Sequence, residues 1–123
     1  MDIYIGIDKR EVDKFKPMAV AIAEKIEKEN IAQPKSIKEY NKGKNEICLL
    51  FSNRIKYLEE FANQATCEII NVTDNLSSSY IVAALKYVKD IYYIKADPNS
   101  LMDRLLTRVK FVENKAKVEQ WKK

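Results

Sequence analysis

Three observations in this sequence predict an α/β fold. Short apolar runs recur along its 123 residues, IYIGI (3–7), ICLLF (47–51), EIINV (68–72) and IYYI (91–94). These runs are continuous rather than alternating, as strands are when a parallel sheet is covered on both faces. Segments with apolar residues at helical spacing follow the runs, and such strand–helix alternation builds right-handed parallel crossovers.

The first run breaks into Asp8, Lys9, Arg10 and Glu11. Glu11 stands three residues after Asp8, which predicts a capping box with Asp in the usual Ser/Thr place. In the helix that follows, Phe15, Met18, Ala19, Ile22 and Ile26 form one stripe, with Lys25, Glu27, Lys28 and Glu29 mostly off it. Proline is tolerated in a first helical turn, so Pro17 implies a helix that begins near Asp13, or one that begins earlier and kinks. The polar stretch 31–46 predicts a short edge strand around Ile37–Tyr40, turned back at 41–44 into the strand at 47. A connection that short cannot make a parallel crossover, so this strand is expected to run antiparallel. Further stripes are Ile55, Leu58, Phe61, Ala62 and Ala65, then Ile81, Ala84, Leu85 and Val88. The last runs from about Pro98 toward Trp121, with Leu101, Leu105, Val109 and Val112 on one side. Each reads as a core face. The sum is a single α/β domain over 1–123: a small three-layer Rossmann-like or flavodoxin-like sheet, mostly parallel, of four or five strands with helices on both faces. A basic C-terminal helix at 98–121 closes it.

Composition removes whole classes of chemistry. There is no histidine, so Ser–His and Cys–His nucleophiles, histidine bases and histidine metal ligands are excluded. Only Gly6 and Gly43 are present, too few for a glycine-rich phosphate loop. Cys48 and Cys67 read as two buried thiols acting as small hydrophobes. No run of apolar residues is long enough to span a membrane, and the N-terminus lacks a basic n-region, so a cytoplasmic protein is expected. Residues 1–100 hold 15 basic and 15 acidic side chains. The net charge of +4 therefore belongs to 101–123, where Arg104, Arg108, Lys110, Lys115, Lys117, Lys122 and Lys123 face Asp103, Glu113 and Glu119. Such a segment attracts polyanions, although basic residues toward a helix C-terminus also simply complement the helix dipole.

Ligands of open α/β sheets bind beyond the carboxyl ends of the strands. On that edge the sequence places Asp8 and Arg10, then Ser52, Asn53 and Arg54, then Thr73, Asp74 and Asn75 with Ser77–Ser79, and finally Lys95 and Asp97. Asp8, Asp74 and Asp97 grouped together would hold Mg²⁺, with Arg10 or Arg54 on a phosphate and Ser78 at the start of the third helix. The competing reading is capping. Asp97 before Pro98, Asp74 or Asn75, Asn53 and Asp8 are all residue types that begin helices.

Two of these segments carry a family resemblance. IYIGIDKRE (3–11) resembles the opening strand and Asp-x-Arg-Glu of nucleotide-sugar glycosyltransferases with a single Rossmann-like domain. KDIYYIKADPNSL (89–101) is similar to their later strand, with Lys95 standing where the first residue of the metal-binding Asp-x-Asp would be. The resemblance implies a divalent metal and a sugar-nucleotide diphosphate near Asp97.

Two functions follow. The leading one is a small non-catalytic binding or accessory module that recognises an acidic macromolecule or nucleic acid through Arg104, Arg108, Lys110, Lys115 and Lys117. The alternative is a Mg-dependent nucleotide- or nucleotide-sugar-binding enzyme or sensor. A protein partner or a homo-oligomer is open in both.

Overall fold

The structure, a computed structural model, describes residues 2–40, 46–95 and 98–121, with the side chains of 98–99 and 114–121 outside the description. Five parallel strands form one sheet in the order β2-β1-β3-β4-β5: β1 (Asp2–Ile7), β2 (Gln33–Ser36), β3 (Ile47–Phe51), β4 (Glu68–Thr73) and β5 (Asp90–Tyr93). The α-helices among the described residues are α1 (Val12–Lys28), α2 (Ile55–Ala62), α3 (Ser78–Ala84) and α4 (Pro98–Trp121). The α/β fold is as expected, and the strand order is the doubly wound one of flavodoxin-like sheets.

Both faces of the sheet are covered, which is why β1, β3, β4 and β5 read as apolar runs. On one face α1 contributes Phe15, Ala19 and Ile26, and α4 contributes Met102, Leu105, Val109 and Val112, all against Ile3, Ile47, Leu49, Phe51, Ile70, Val72 and Tyr92. On the other, Leu58 of α2 and Tyr80 and Ala84 of α3 pack with Leu50 and Ile69. All five residues of β3, the central strand, are buried.

The edge strand differs from expectation. It lies at Gln33–Ser36 rather than 37–40, and it runs parallel to β1, with Asp2 opposite Gln33 and Ile5 opposite Ser36. Helix α1 is its crossover, and it ends at Lys28 with Glu29 as C-cap and Asn30 in the left-handed conformation at φ 54°. Bonds from Ile31 N–H to the Ile26 carbonyl and from Asn30 N–H to the Glu27 carbonyl close a Schellman-type stop. Asparagine fills the place glycine usually takes, so the stop lacks its commonest sequence mark. Pro34 fits because an edge strand leaves one side unpaired. Ile37–Glu39 forms a 3-10 turn closed by a Ser36–Glu39 capping box, and Ile37 packs on the α2/α3 face.

Pro17 also resolves. The helix starts at Val12 and continues through Pro17 in its interior, preceded by a 3-10 turn at Lys9–Glu11. Gly6 answers a packing need near the C-terminal end of β1. A Cβ there would meet the Tyr57 hydroxyl at 2.8 Å and Leu50 Cδ2 at 3.0 Å.

Candidate functional site

Strand order reverses between β1 and β3, and the crevice beyond their carboxyl ends is the usual ligand position of such a sheet. Asp8 follows β1 there and is fully buried. The segment Ser52-Asn53-Arg54 leaves β3 beside it, and Thr73-Asp74 leaves β4 on the far side.

Asp8 is saturated from within the chain. Arg54 donates twice, from Nε to Oδ2 and from Nη2 to Oδ1, each at 2.7 Å. Ser52 Oγ donates to Oδ2 at 2.7 Å, and the Arg10 backbone N–H to Oδ1 at 3.1 Å. Each carboxylate oxygen thus accepts two hydrogen bonds, its ordinary capacity. A guanidinium gripping both oxygens is also the strongest geometry available to such a pair. Burial pushes the Asp8 carboxyl up, but Arg54, Ser52 and the Arg10 N–H outweigh it and hold it below the ordinary value of 3.8. The Arg54 guanidinium is held more firmly protonated by the same contact.

The loops around Asp8 are stitched to one another. Asp8 does cap the Lys9–Glu11 turn through the Arg10 N–H, as expected, but the reciprocal half of the capping box is absent. Glu11 does not turn back to Asp8; its Oε1 accepts the Asn53 N–H at 2.9 Å, while the Asp8 N–H goes to the Phe51 carbonyl at 2.9 Å. Arg54, not Asn53, holds the N-cap position of α2, and it makes no side-chain cap. The Asn53 side chain bridges instead, its amide donating to Asp74 and its oxygen accepting from the Thr73 hydroxyl and the Asp74 N–H. Lys14 of α1 pairs with Asp74. Burial raises the Asp74 carboxyl, and Lys14 and Asn53 more than reverse this. Helix α3 is capped by Ser77, whose hydroxyl accepts the Tyr80 N–H at 3.3 Å, rather than by Asp74 or Asn75. Ser78 is the first residue of α3 and is exposed.

Sequence reading missed what lies beneath. Asn71, read as part of an apolar run, is fully buried, and its amide donates to the Leu50 and Ser52 carbonyls at 2.9 and 3.1 Å. Its oxygen accepts the Tyr80 hydroxyl at 2.6 Å. One polar residue inside EIINV was the available signal.

Asp8 and Asp74 therefore share an edge but face separate cations. Asp97 lies outside the described residues, and no group of three acidic or cysteine residues among the described ones could hold a metal. Arg10 meets Asp8 only through its backbone, with its side chain exposed.

The basic helix is likewise tied inward in part. Arg104 Nη2 donates to both oxygens of Asp90, at 2.7 and 2.8 Å, and its guanidinium lies over the Tyr92 ring, 4.8 Å from the centroid. Arg108 reaches Glu68 Oε2 from Nε and Nη2 and lies over Phe111. Lys110 is exposed, while the side chains of Lys115 and Lys117 lie outside the described residues.

No family model matches this chain, and no curated protein matches it. A solved structure does. It is named "Putative pilus assembly-related protein", from Burkholderia pseudomallei, and is similar with a TM-score of 0.62 at 13% identity, over 89% of this chain and 90% of that one. At that identity the likeness is one of fold. Among the described residues no helix is long and apolar enough to cross a membrane.

Proposed function

We propose that this chain is a non-catalytic binding or accessory module whose switch-point crevice is filled by its own Asp8–Arg54 pair, leaving recognition to its outer surfaces. The observation that carries the reading is the saturation of Asp8. A metal or phosphate in that crevice would first have to break a two-pronged ion pair around a buried carboxylate, which strongly destabilises the group left behind. The Mg-dependent alternative needs Asp8 and Asp74 directed at one ion, and each is instead bound to its own cation.

For the acidic partner, the weight falls on Lys110, Lys115 and Lys117. Arg104 and Arg108 are neutralised by Asp90 and Glu68 whereas Lys110 is exposed, so the reading rests on Lys110 together with the lysines that the sequence places after it. A place within a larger assembly is a natural form of this role, since the Burkholderia protein is named for pilus assembly. Fold likeness lends that idea its only support.

The test is a salt series of binding to polyglutamate and to duplex DNA. Affinity should fall steeply with ionic strength, and the K110A/K115A/K117A variant should weaken binding with an unchanged melting temperature. R104A/R108A should chiefly lower the melting temperature. Binding insensitive to salt and to the lysine variant would refute the polyanion surface.

A further inference from the structure

The two cysteines form a unit that the proposed function does not use. Cys48 is the second residue of β3 and fully buried; Cys67 immediately precedes β4 and is half-buried. Parallel pairing of β3 with β4, with Cys48 opposite Ile69, brings the two sulfurs together at 2.6 Å. Both are free thiols. A disulfide bond is about 2.05 Å long, so linking them asks for a shift of a fraction of an ångström. Sequence separation gave no hint of this, and the sequence reading of two inert buried hydrophobes describes Cys48 better than Cys67.

We propose that Cys48 and Cys67 are a reversible oxidation site, closing to an intrachain disulfide on exposure to a peroxide. The access route is on the Cys67 side. That residue lines a surface cavity of about 310 Å³ together with Lys86, Tyr87 and Lys89. A thiolate is the form that attacks oxidants.

The reaction balances without any group the chain must borrow beyond the peroxide. The Cys67 thiolate attacks one peroxide oxygen, the O–O bond breaks, and the leaving hydroxide takes up a proton to give water and a sulfenic acid. The Cys48 sulfur then attacks the Cys67 sulfur. The S–O bond breaks, the S–S bond forms, and the Cys48 proton leaves with the departing hydroxide as a second water. In sum, two thiols and one peroxide become one disulfide and two waters, the sulfurs oxidised and the peroxide oxygens reduced.

Local electrostatics assign the roles. The contact with Cys48 holds the Cys67 thiol below its ordinary range against the effect of burial, with the Tyr40 hydroxyl assisting. The same contact, then burial, pushes Cys48 far up. Cys67 is thus the attacking sulfur and Cys48 the resolving one. Glu46, itself buried, opposes negative charge on both sulfurs. A neutral disulfide removes that conflict, which a lasting thiolate would keep.

The experiment treats the full chain with hydrogen peroxide under native conditions, quenches with N-ethylmaleimide and reads the intact mass without reductant. The expected product has lost two hydrogen atoms, takes up no maleimide, carries no link between chains and yields a Cys48–Cys67 linked peptide that dithiothreitol releases. In Cys48→Ser, the sulfenic acid on Cys67 should persist and be captured by dimedone. Two fully alkylated thiols after peroxide, oxygen added to Cys67 with no link in the native chain, or links only between chains would each overturn the proposal. The wild-type mass decides this whether or not the variant folds.

Discussion

At the scale of single residues, Asp8 shows how a carboxylate can look like a ligand in sequence and be a structural ion in space. Its position after a strand, its neighbours and its residue type suit a metal ligand, a helix cap or a buried ion-pair member equally well. What decides is Arg54, forty-six residues away, and no local pattern encodes that pairing. The pH dependence follows from the pair. The folded-state value of Asp8 lies below the ordinary 3.8, so its contribution is fully present above that value and is lost as pH falls through the depressed one. Urea unfolding of the wild type should therefore show stability falling on acidification below about pH 4, with Asp74 adding to the same limb. Asp8→Asn should be less stable at neutral pH and flatter in acid. Parallel acid limbs for the two proteins would mean that the pair does not act as an ion pair.

Elements were legible where pattern is local and illegible where geometry is not. The apolar runs located β1, β3, β4 and β5 because burial on both faces demands continuous hydrophobicity. QPKS carries no such mark, since an edge strand is exposed, and so β2 was assigned to the apolar Ile37 that follows it. Two substitutions probe the elements directly. Gly6→Ala should cost about 1–3 kcal/mol, because the new methyl meets the Tyr57 hydroxyl and Leu50. Adding Tyr57→Phe removes the nearest of these atoms and should recover part of the loss in a double-mutant cycle. A simple sum of the two effects would contradict that contact. Pro17→Ala should stabilise the protein by roughly 2 kcal/mol, since it restores an amide to the interior of α1 at a modest cost in unfolded-chain freedom. Unchanged thermal unfolding would show that the helix has already absorbed the proline.

For the whole molecule, the sequence predicted the layered α/β architecture but not the strand order. The order depends on which crossover goes to which side of β1, and nothing within a single run encodes that choice. With the order 2-1-3-4-5 in hand, the crevice between β1 and β3 becomes the place to look, and it is filled by Arg54, Ser52 and Asp8. Outside that crevice, the thiol pair of Cys48 and Cys67 reaches the surface at the cavity that Cys67 lines.

The measurement that bears most directly on the sealed crevice is the melting temperature of the wild-type chain across nucleotides and nucleotide-sugars, with and without Mg²⁺ or Mn²⁺. A ligand of the folded state at a hundred times its dissociation constant adds about 2.7 kcal/mol, enough to raise the midpoint by several degrees. The account predicts a flat panel. A metal-dependent rise with one nucleotide class would contradict it, and would mean that Asp8 releases Arg54 to take a ligand.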